Sequence, residues 1–280
     1  MSADAVRIAR EALAEDGDID ITTAVTVAPD LQAQGNIEFR SGGVLAGVAY
    51  ADEVARACGC RLEWRALDGQ TVAAGALVGI VHGSLAQILR AERPMLNLLQ
   101  RAAGIATATR AYVDAVAGTR CRILHTRKTA PGLRALDIAA VVAGGGSRHR
   151  EDLGHEVMVK DNHWEAAVRS GRTLAGALAQ ARERGVTALY VEVESLEQLE
   201  QACAAGATRL LIDNQTPGTL GAWAERARGL APGVEIEATG GITLENVRTY
   251  AEAGADFVSI GALTHSVRAG DLALEVRVVR

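Results

Sequence analysis

Six short apolar runs after residue 120, "CRILHT", "EVMVK", "ALYVEVE", "RLLIDN", "VEIEATGG" and "DFVSIGA", alternate with segments of helical periodicity. That alternation constrains the fold more than any other feature. A strand that rejoins its sheet through a helix runs parallel to its predecessor, so the pattern predicts a parallel α/β sheet, open or closed into a barrel. The ends of the runs decide between the two. Their C-terminal sides carry Arg127 and Lys128, Lys160, Glu192, Asp213, Thr239 with Gly240 and Gly241, and Gly261. An open sheet concentrates its site at one switch point, whereas a barrel draws chemistry from many strand ends on one face. The spread predicts a TIM-like α/β barrel. Helix starts support it: Ser195 with Gln198 fits a capping box, Thr216-Pro217 an N-cap with proline at the first helical position, and Thr243 is placed to cap the helix after "GGI".

The N-terminal part reads differently. An amphipathic helix over residues 4–16 precedes the strand-like runs "NIEFRS", "RLEWRAL" and "ALVGIVHG", with a glycine turn and helix in "SGGVLAGVAYADEVARACG". A long helix follows from about Leu85 to Ala117, with bends expected at Pro94 and near Gly104. Mixed elements of this kind predict an α+β domain. The final "DLALEVRVV" alternates with period two and suits either sheet.

Charge narrows the function. Between Arg120 and Arg150, seven basic residues (Arg120, Arg122, Arg127, Lys128, Arg134, Arg148, Arg150) face one acid, Asp137, giving +6 in a chain of net charge −5. A nucleic-acid binder spreads positive charge over a face, and the acidic remainder here repels a polyanion, so one basic focus predicts a small anionic ligand. No apolar run approaches the ~18 residues of a membrane span, and "MSADAVRIAREALAEDGD" lacks the apolar stretch of a signal peptide. Cys58, Cys60, Cys121 and Cys203 match neither a disulfide framework nor a zinc site and read as reduced thiols of a cytoplasmic protein.

The glycines after the last two runs, Gly240-Gly241 and Gly261, suit a phosphate held by backbone N–H groups, the common arrangement at that place in a barrel. Glu192 and Asp213 end neighbouring runs and suit Mg²⁺, ribose hydroxyls or a cationic transition state. "GGGSRHR" sets His149 between Arg148 and Arg150 on flexible backbone, placed to close on a carboxylate or phosphate. No H-x-H or H-E-x-x-H zinc pattern, Rossmann fingerprint, P-loop or nucleophile–histidine pair is present. Transfer chemistry on a phosphorylated, multiply anionic substrate remains.

The stretches "AERPMLNLLQRAAGIATAT", "HTRKTAPGLRALDIAAVVAGGGSRHREDLGHEVMVKDNH", "YVEVESLEQL", "LLIDN" and "EATGGITLENVRTYAEAGADFVSIGALTHS" resemble the quinolinate phosphoribosyltransferase family, the decarboxylating nicotinate-nucleotide pyrophosphorylases, along nearly the whole chain. The resemblance implies an incomplete TIM-like barrel over residues 116–269 and an N-terminal α+β sandwich-like domain over 1–115, completed by a C-terminal strand at 270–280. It implies a homodimer with shared sites, in which quinolinate and phosphoribosyl pyrophosphate give nicotinate mononucleotide, pyrophosphate and CO₂ with Mg²⁺. On this resemblance Arg93 reaches quinolinate from the partner subunit. Arg127, His149 and Arg150 hold the ring carboxylates with Lys160 nearby, and Lys128 meets the pyrophosphate. Glu192 and Asp213 lie by the ribose and metal, and with Lys160 are the catalytic residues. Thr239, Gly240 and Gly261 bind the 5′-phosphate. His125 stands where the family usually shows an acid, and Thr239 where serine is usual. The rival within the fold is the molybdenum-locus family, which typically lacks the "KDNH" of Lys160–His163. Nicotinate phosphoribosyltransferase and a non-catalytic nucleotide sensor are the others.

Overall fold

Buried and solvated positions alternate strictly along "QAQGNIEF", with Ala33, Gly35, Ile37 and Phe39 all turned inward, as a strand with one wet face requires. The computed structural model describes residues 2–279. Its first part comprises α1 (Ala3–Glu15), α2 (Ile21–Thr26), β1 (Gln32–Phe39), β2 (Gly43–Val44), α3 (Val48–Ala57), β3 (Arg61–Trp64), β4 (Thr71–Val72), β5 (Ala76–Ser84) and α4 (Leu85–Ala115). Next come β6 (Arg122–Leu124), α5 (Arg134–Ala143), β7 (Val157–Val159), α6 (Asp161–Arg169), α7 (Leu174–Glu183), β8 (Leu189–Val193) and α8 (Leu196–Ala204). The chain ends through β9 (Arg209–Asp213), α9 (Pro217–Leu230), β10 (Glu235–Thr239), α10 (Val247–Glu252), β11 (Phe257–Ser259), α11 (Ala262–His265) and β12 (Leu272–Val278). It divides into two compact units, one of residues 1–110, 128–146 and 262–280, the other of 111–127 and 147–261.

In the first unit four antiparallel strands lie in the order β12-β1-β5-β3. The C-terminal strand therefore pairs with β1, from Ala33 opposite Val278 to Phe39 opposite Leu272. With few aromatics available, the core is mostly aliphatic: Ile37, Val78, Val81, Ile88, Met95, Leu99 and Ile105 are all fully buried, as is Phe39. The long helix α4 continues through both expected bends as one 31-residue element. Gly104 has another purpose: a Cβ there would lie 2.2 Å from the Arg268 carbonyl oxygen, so only glycine lets that segment rest on the helix.

The second unit holds the parallel sheet. All six apolar runs became strands, in the order β6-β11-β10-β9-β8-β7, with β6 and β7 as the unpaired ends of an incomplete barrel. Every residue of β8 is buried, as both faces of a parallel strand must be. The two faces are chemically unlike. Leu210, Ile212, Ile236 and Ala238 form one aliphatic phase. Arg209, Glu237, Tyr190, Phe257 and Ser259 share the other phase and are buried too. Two of the three expected caps form: Ser195 Oγ accepts from Gln198 N, and Thr216 Oγ1 from Thr219 N ahead of Pro217. At the third, Asn246 precedes α10 and its Oδ1 accepts from Thr243 N at 2.8 Å. Residues 243–246 make a separate turn, which displaces Thr243 from the cap. No described helix is long and apolar enough to cross a membrane.

Candidate active site

Strand ends place the charged residues one after another along the rim. Lys160 follows β7 and pairs with Glu192 of β8; the Glu192 carbonyl accepts from Trp164 Nε1 of α6 at 3.0 Å. Asp213 ends β9, and burial, then the charge of Glu192, push its carboxyl above the ordinary range despite Lys160. Asn214 is the one non-glycine residue with positive φ (51°) among the described residues. Its Nδ2 donates to Asp213 Oδ2 at 2.6 Å and its N–H to the Thr239 carbonyl at 2.9 Å, which ties the ends of β9 and β10 together. Gly240 answers that turn: it has φ +80°, and a Cβ would stand 2.2 Å from Asn214 Oδ1. Gly241 also has positive φ, with open space where a side chain would be. Gly261 follows β11, the strand paired with β10, so both glycine turns lie on adjacent strands, where backbone N–H groups can receive one phosphate.

Arg127, His149 and Arg150 belong to the β6 side. Ser147 bridges to Leu124 in parallel fashion and carries the "SRHR" segment beside β6. Arg127 Nε is buried with no hydrogen-bond partner among the described residues. Arg150 is disfavoured as a cation first by burial and then by Arg127, with Glu156 and Glu192 opposing. Two crowded guanidiniums and an unfilled buried donor describe a receptor for an anion. Arg148, by contrast, is exposed and pairs with Glu151.

His149 departs from expectation. The sequence reading gave its ring a direct hold on a carboxylate, but the side chain is 6% exposed and both nitrogens are engaged. Nε2 meets Glu237 at 3.1 and 3.2 Å, and Nδ1 accepts from Arg150 N at 2.6 Å. The ring braces the segment from within. His125, wholly buried, accepts the His149 N–H on Nε2 at 2.9 Å. Burial keeps its pKa below the ordinary value, so it supplies an acceptor there without a charge.

Sequence reasoning missed Glu237 and Arg209. Arg209 donates to Glu235 at 2.7 and 2.9 Å and to Glu237 at 3.2 Å, and its guanidinium lies 4.5 Å from the Tyr190 ring centre and 3.8 Å from that of Phe257. Burial alone would raise the Glu237 pKa, yet the hydrogen bond from His149 and the charge of Arg209 hold it low. A signal existed: Glu237 is in phase with Thr239, and Arg209 with Asp213.

In the first unit, Arg93 is exposed on α4, its side chain 59% accessible. Lys128 is held by its backbone: Thr264 Oγ1 donates to its carbonyl, Arg101 donates to the Thr264 carbonyl, and Arg101 grips buried Asp137 in a fork at 2.7 and 2.8 Å. Asp137 also accepts from Ala130 N at 3.1 Å. All four cysteines are free, and burial pushes the thiols of Cys60 and Cys121 up to about 11 and about 12, which removes them as nucleophiles.

A barrel whose rim combines an anion receptor, paired carboxylates and two glycine turns defines a transferase working on phosphorylated, anionic substrates. The description "quinolinate phosphoribosyl transferase, C-terminal domain" fits residues 105–275 and its N-terminal counterpart residues 20–103. A nicotinate-nucleotide pyrophosphorylase (carboxylating) of Mycobacterium leprae is 42% identical over 273 residues, 95% of each chain. The solved nicotinate-nucleotide pyrophosphorylase of Francisella tularensis superposes with a TM-score of 0.90 at 34% identity, covering 98% of this chain and 96% of that one. Human nicotinic acid phosphoribosyltransferase, 14% identical with a TM-score of 0.57 over 97% of this chain and 73% of its own, shares the fold alone. The chain belongs to the quinolinate phosphoribosyl transferase family.

Proposed function

We propose that the chain transfers the phosphoribosyl group of phosphoribosyl pyrophosphate to quinolinate with loss of CO₂, forming nicotinate mononucleotide and pyrophosphate for NAD biosynthesis in the cytoplasm. The observation that carries this reading is the buried Arg127 Nε, without a hydrogen-bond partner among the described residues, beside Arg150, which burial and then the Arg127 charge disfavour as a cation. Such crowding costs stability until a dianion arrives, and a ring with adjacent carboxylates is that dianion. Lys160 stands at the same rim, turned to Glu192, and His149 acts by holding Arg150. Lys128 takes the pyrophosphate; Thr239, Gly240 and Gly261 take the 5′-phosphate.

Glu192 and Asp213 stabilise positive charge on the ribose as its bond to pyrophosphate lengthens, in a field already set before reaction. Once the ring nitrogen is ribosylated, its positive charge stabilises the carbanion left at C2 as CO₂ departs. The protein's part is then to hold that carboxylate out of plane and exclude water. Two carboxylates with substrate oxygens suit Mg²⁺, which keeps few protein ligands, and no cluster of three His, Cys, Asp or Glu is assembled for a metal among the described residues. When bound there, Mg²⁺ would neutralise polyphosphate charge. We assign the functional form to a homodimer in which exposed Arg93 serves the partner's quinolinate.

Calorimetric titration tests the receptor. Quinolinate should bind at least tenfold more tightly than nicotinate, and Arg127→Ala should weaken it by about 2–4 kcal/mol, the scale of a lost charged hydrogen-bond pair, while leaving donor affinity within a few-fold. Equal loss for both ligands would refute the assignment. For the shared site, mixing Arg93→Ala and Lys160→Ala subunits should restore part of the activity through one intact site, and no recovery in verified hybrids would remove the dimer proposal.

A further inference from the structure

The segment bearing Arg150 is pinned at two successive backbone N–H groups, each by a histidine nitrogen: His149 N on His125 Nε2 at 2.9 Å and Arg150 N on His149 Nδ1 at 2.6 Å. A backbone N–H only donates, so both of these nitrogens must carry lone pairs. His125 therefore holds its proton on Nδ1, which lies 3.3 Å from the Thr126 carbonyl. His149 holds its proton on Nε2, toward the Glu237 carboxylate. These contacts are those of two rings in opposite tautomers, 6.4 Å apart, with Tyr190 edge-on to His149 at 5.8 Å.

We propose that Glu237, backed by Arg209, is a positioning residue that selects the His149 tautomer and through it sets where Arg150 stands. The proposal rests on the reading of Arg150 as a quinolinate contact. Its chemistry lies in the difference between carboxylate and amide. Glu237 Oε2 faces both Arg209 Nη1 and His149 Nε2, and Oε1 also faces His149 Nε2 at 3.2 Å. A glutamine that keeps its oxygen at the Oε2 place can still accept from both, but its NH₂ then stands at the Oε1 place, a donor set against the His149 Nε2–H, a conflict that moving the ring proton to Nδ1 relieves. The ring proton would then move to Nδ1 and oppose the Arg150 N–H. Glu237→Gln leaves Arg209 bound to Glu235, so the arginine is not orphaned.

Side-chain ¹⁵N spectra of the histidine-labelled intact protein, with the His149 signal assigned by its loss in His149→Asn, test this in the wild type first. The expected signal is a neutral ring protonated on Nε2; a ring protonated on Nδ1, or on both nitrogens, overturns the proposal. In Glu237→Gln the tautomer should shift toward Nδ1–H, KM for quinolinate should rise at least tenfold, and KM for phosphoribosyl pyrophosphate should stay within twofold. A folded variant with unchanged tautomer and unchanged quinolinate KM also overturns it, and equal damage to both KM values would reduce Glu237 to a structural role. If the variant does not fold, the wild-type spectrum still decides. Wild-type protein without quinolinate turnover would instead strike the functional reading, since the tautomer is read without substrate.

Discussion

The inside of the barrel and its rim use the same strands and treat charge in opposite ways. Inside, Arg209 faces Glu235 and Glu237, and Glu237 also faces His149, so that each buried charge meets a partner. At the rim the matching is incomplete: Lys160 pairs with Glu192, but Arg150 is disfavoured as a cation by burial and then by Arg127, and the Asp213 carboxylate by burial and then by Glu192. On β9 the two layers are the two ends of one five-residue strand, Arg209 in the matched layer and Asp213 at the rim. A buried charge that lacks a partner costs several kcal/mol, so matching inside is a condition of folding. Crowded like charges at an accessible edge are tolerated at smaller cost, and they persist where a ligand will supply the missing sign.

The comparison predicts unequal effects. The largest is Arg209→Ala, which removes the cationic partner of the buried Glu237 carboxylate, leaving it the His149 contact, and takes away the cation resting on Tyr190 and Phe257. Unfolding free energy in urea should fall by about 3–5 kcal/mol, the range for breaking a buried ion pair. A fall under about 1 kcal/mol would break the distinction between the layers. At the rim the sign reverses. The folded-state pKa of Asp213 is raised, by burial first and Glu192 second, so its ionisation takes stability away as pH rises through that value. Asp213→Asn should therefore match wild type below about pH 3.9, the ordinary aspartate value, and gain a small, salt-sensitive margin at neutral pH while losing turnover. A loss of stability at pH 7 would contradict the view of Asp213 as a crowded, functional charge.

Sequence made the rim more legible than the interior, and the reason is geometric. Each rim residue follows its own strand, so "HTRK", "VMVK", "VEVE", "LLIDN" and "EATGG" announce themselves locally. Interior partners come from distant parts of the chain: His149 and Glu237 are 88 residues apart and Arg209 and Glu237 28. Nothing in either neighbourhood says that they meet. The period-two phase was readable, but an acid in mid-strand suits a wet face equally well until the curl of the sheet is known. Asn214 was visible beside Asp213, yet its left-handed turn and its grip on the Asp213 carboxylate depend on β10 lying alongside. The inward turn of His149 depends on Glu237, so that residue was placed in the site by sequence and differently within it by structure.

The central claim is that the crowded cations of the rim receive quinolinate for a decarboxylating transfer. CO₂ release from purified protein, given carboxyl-labelled quinolinate, phosphoribosyl pyrophosphate and Mg²⁺ with nicotinate in a parallel reaction, tests it most directly. Donor-dependent labelled CO₂ is expected from quinolinate, with little nucleotide from nicotinate. Folded protein that releases no CO₂, or that joins nicotinate as readily, would contradict it.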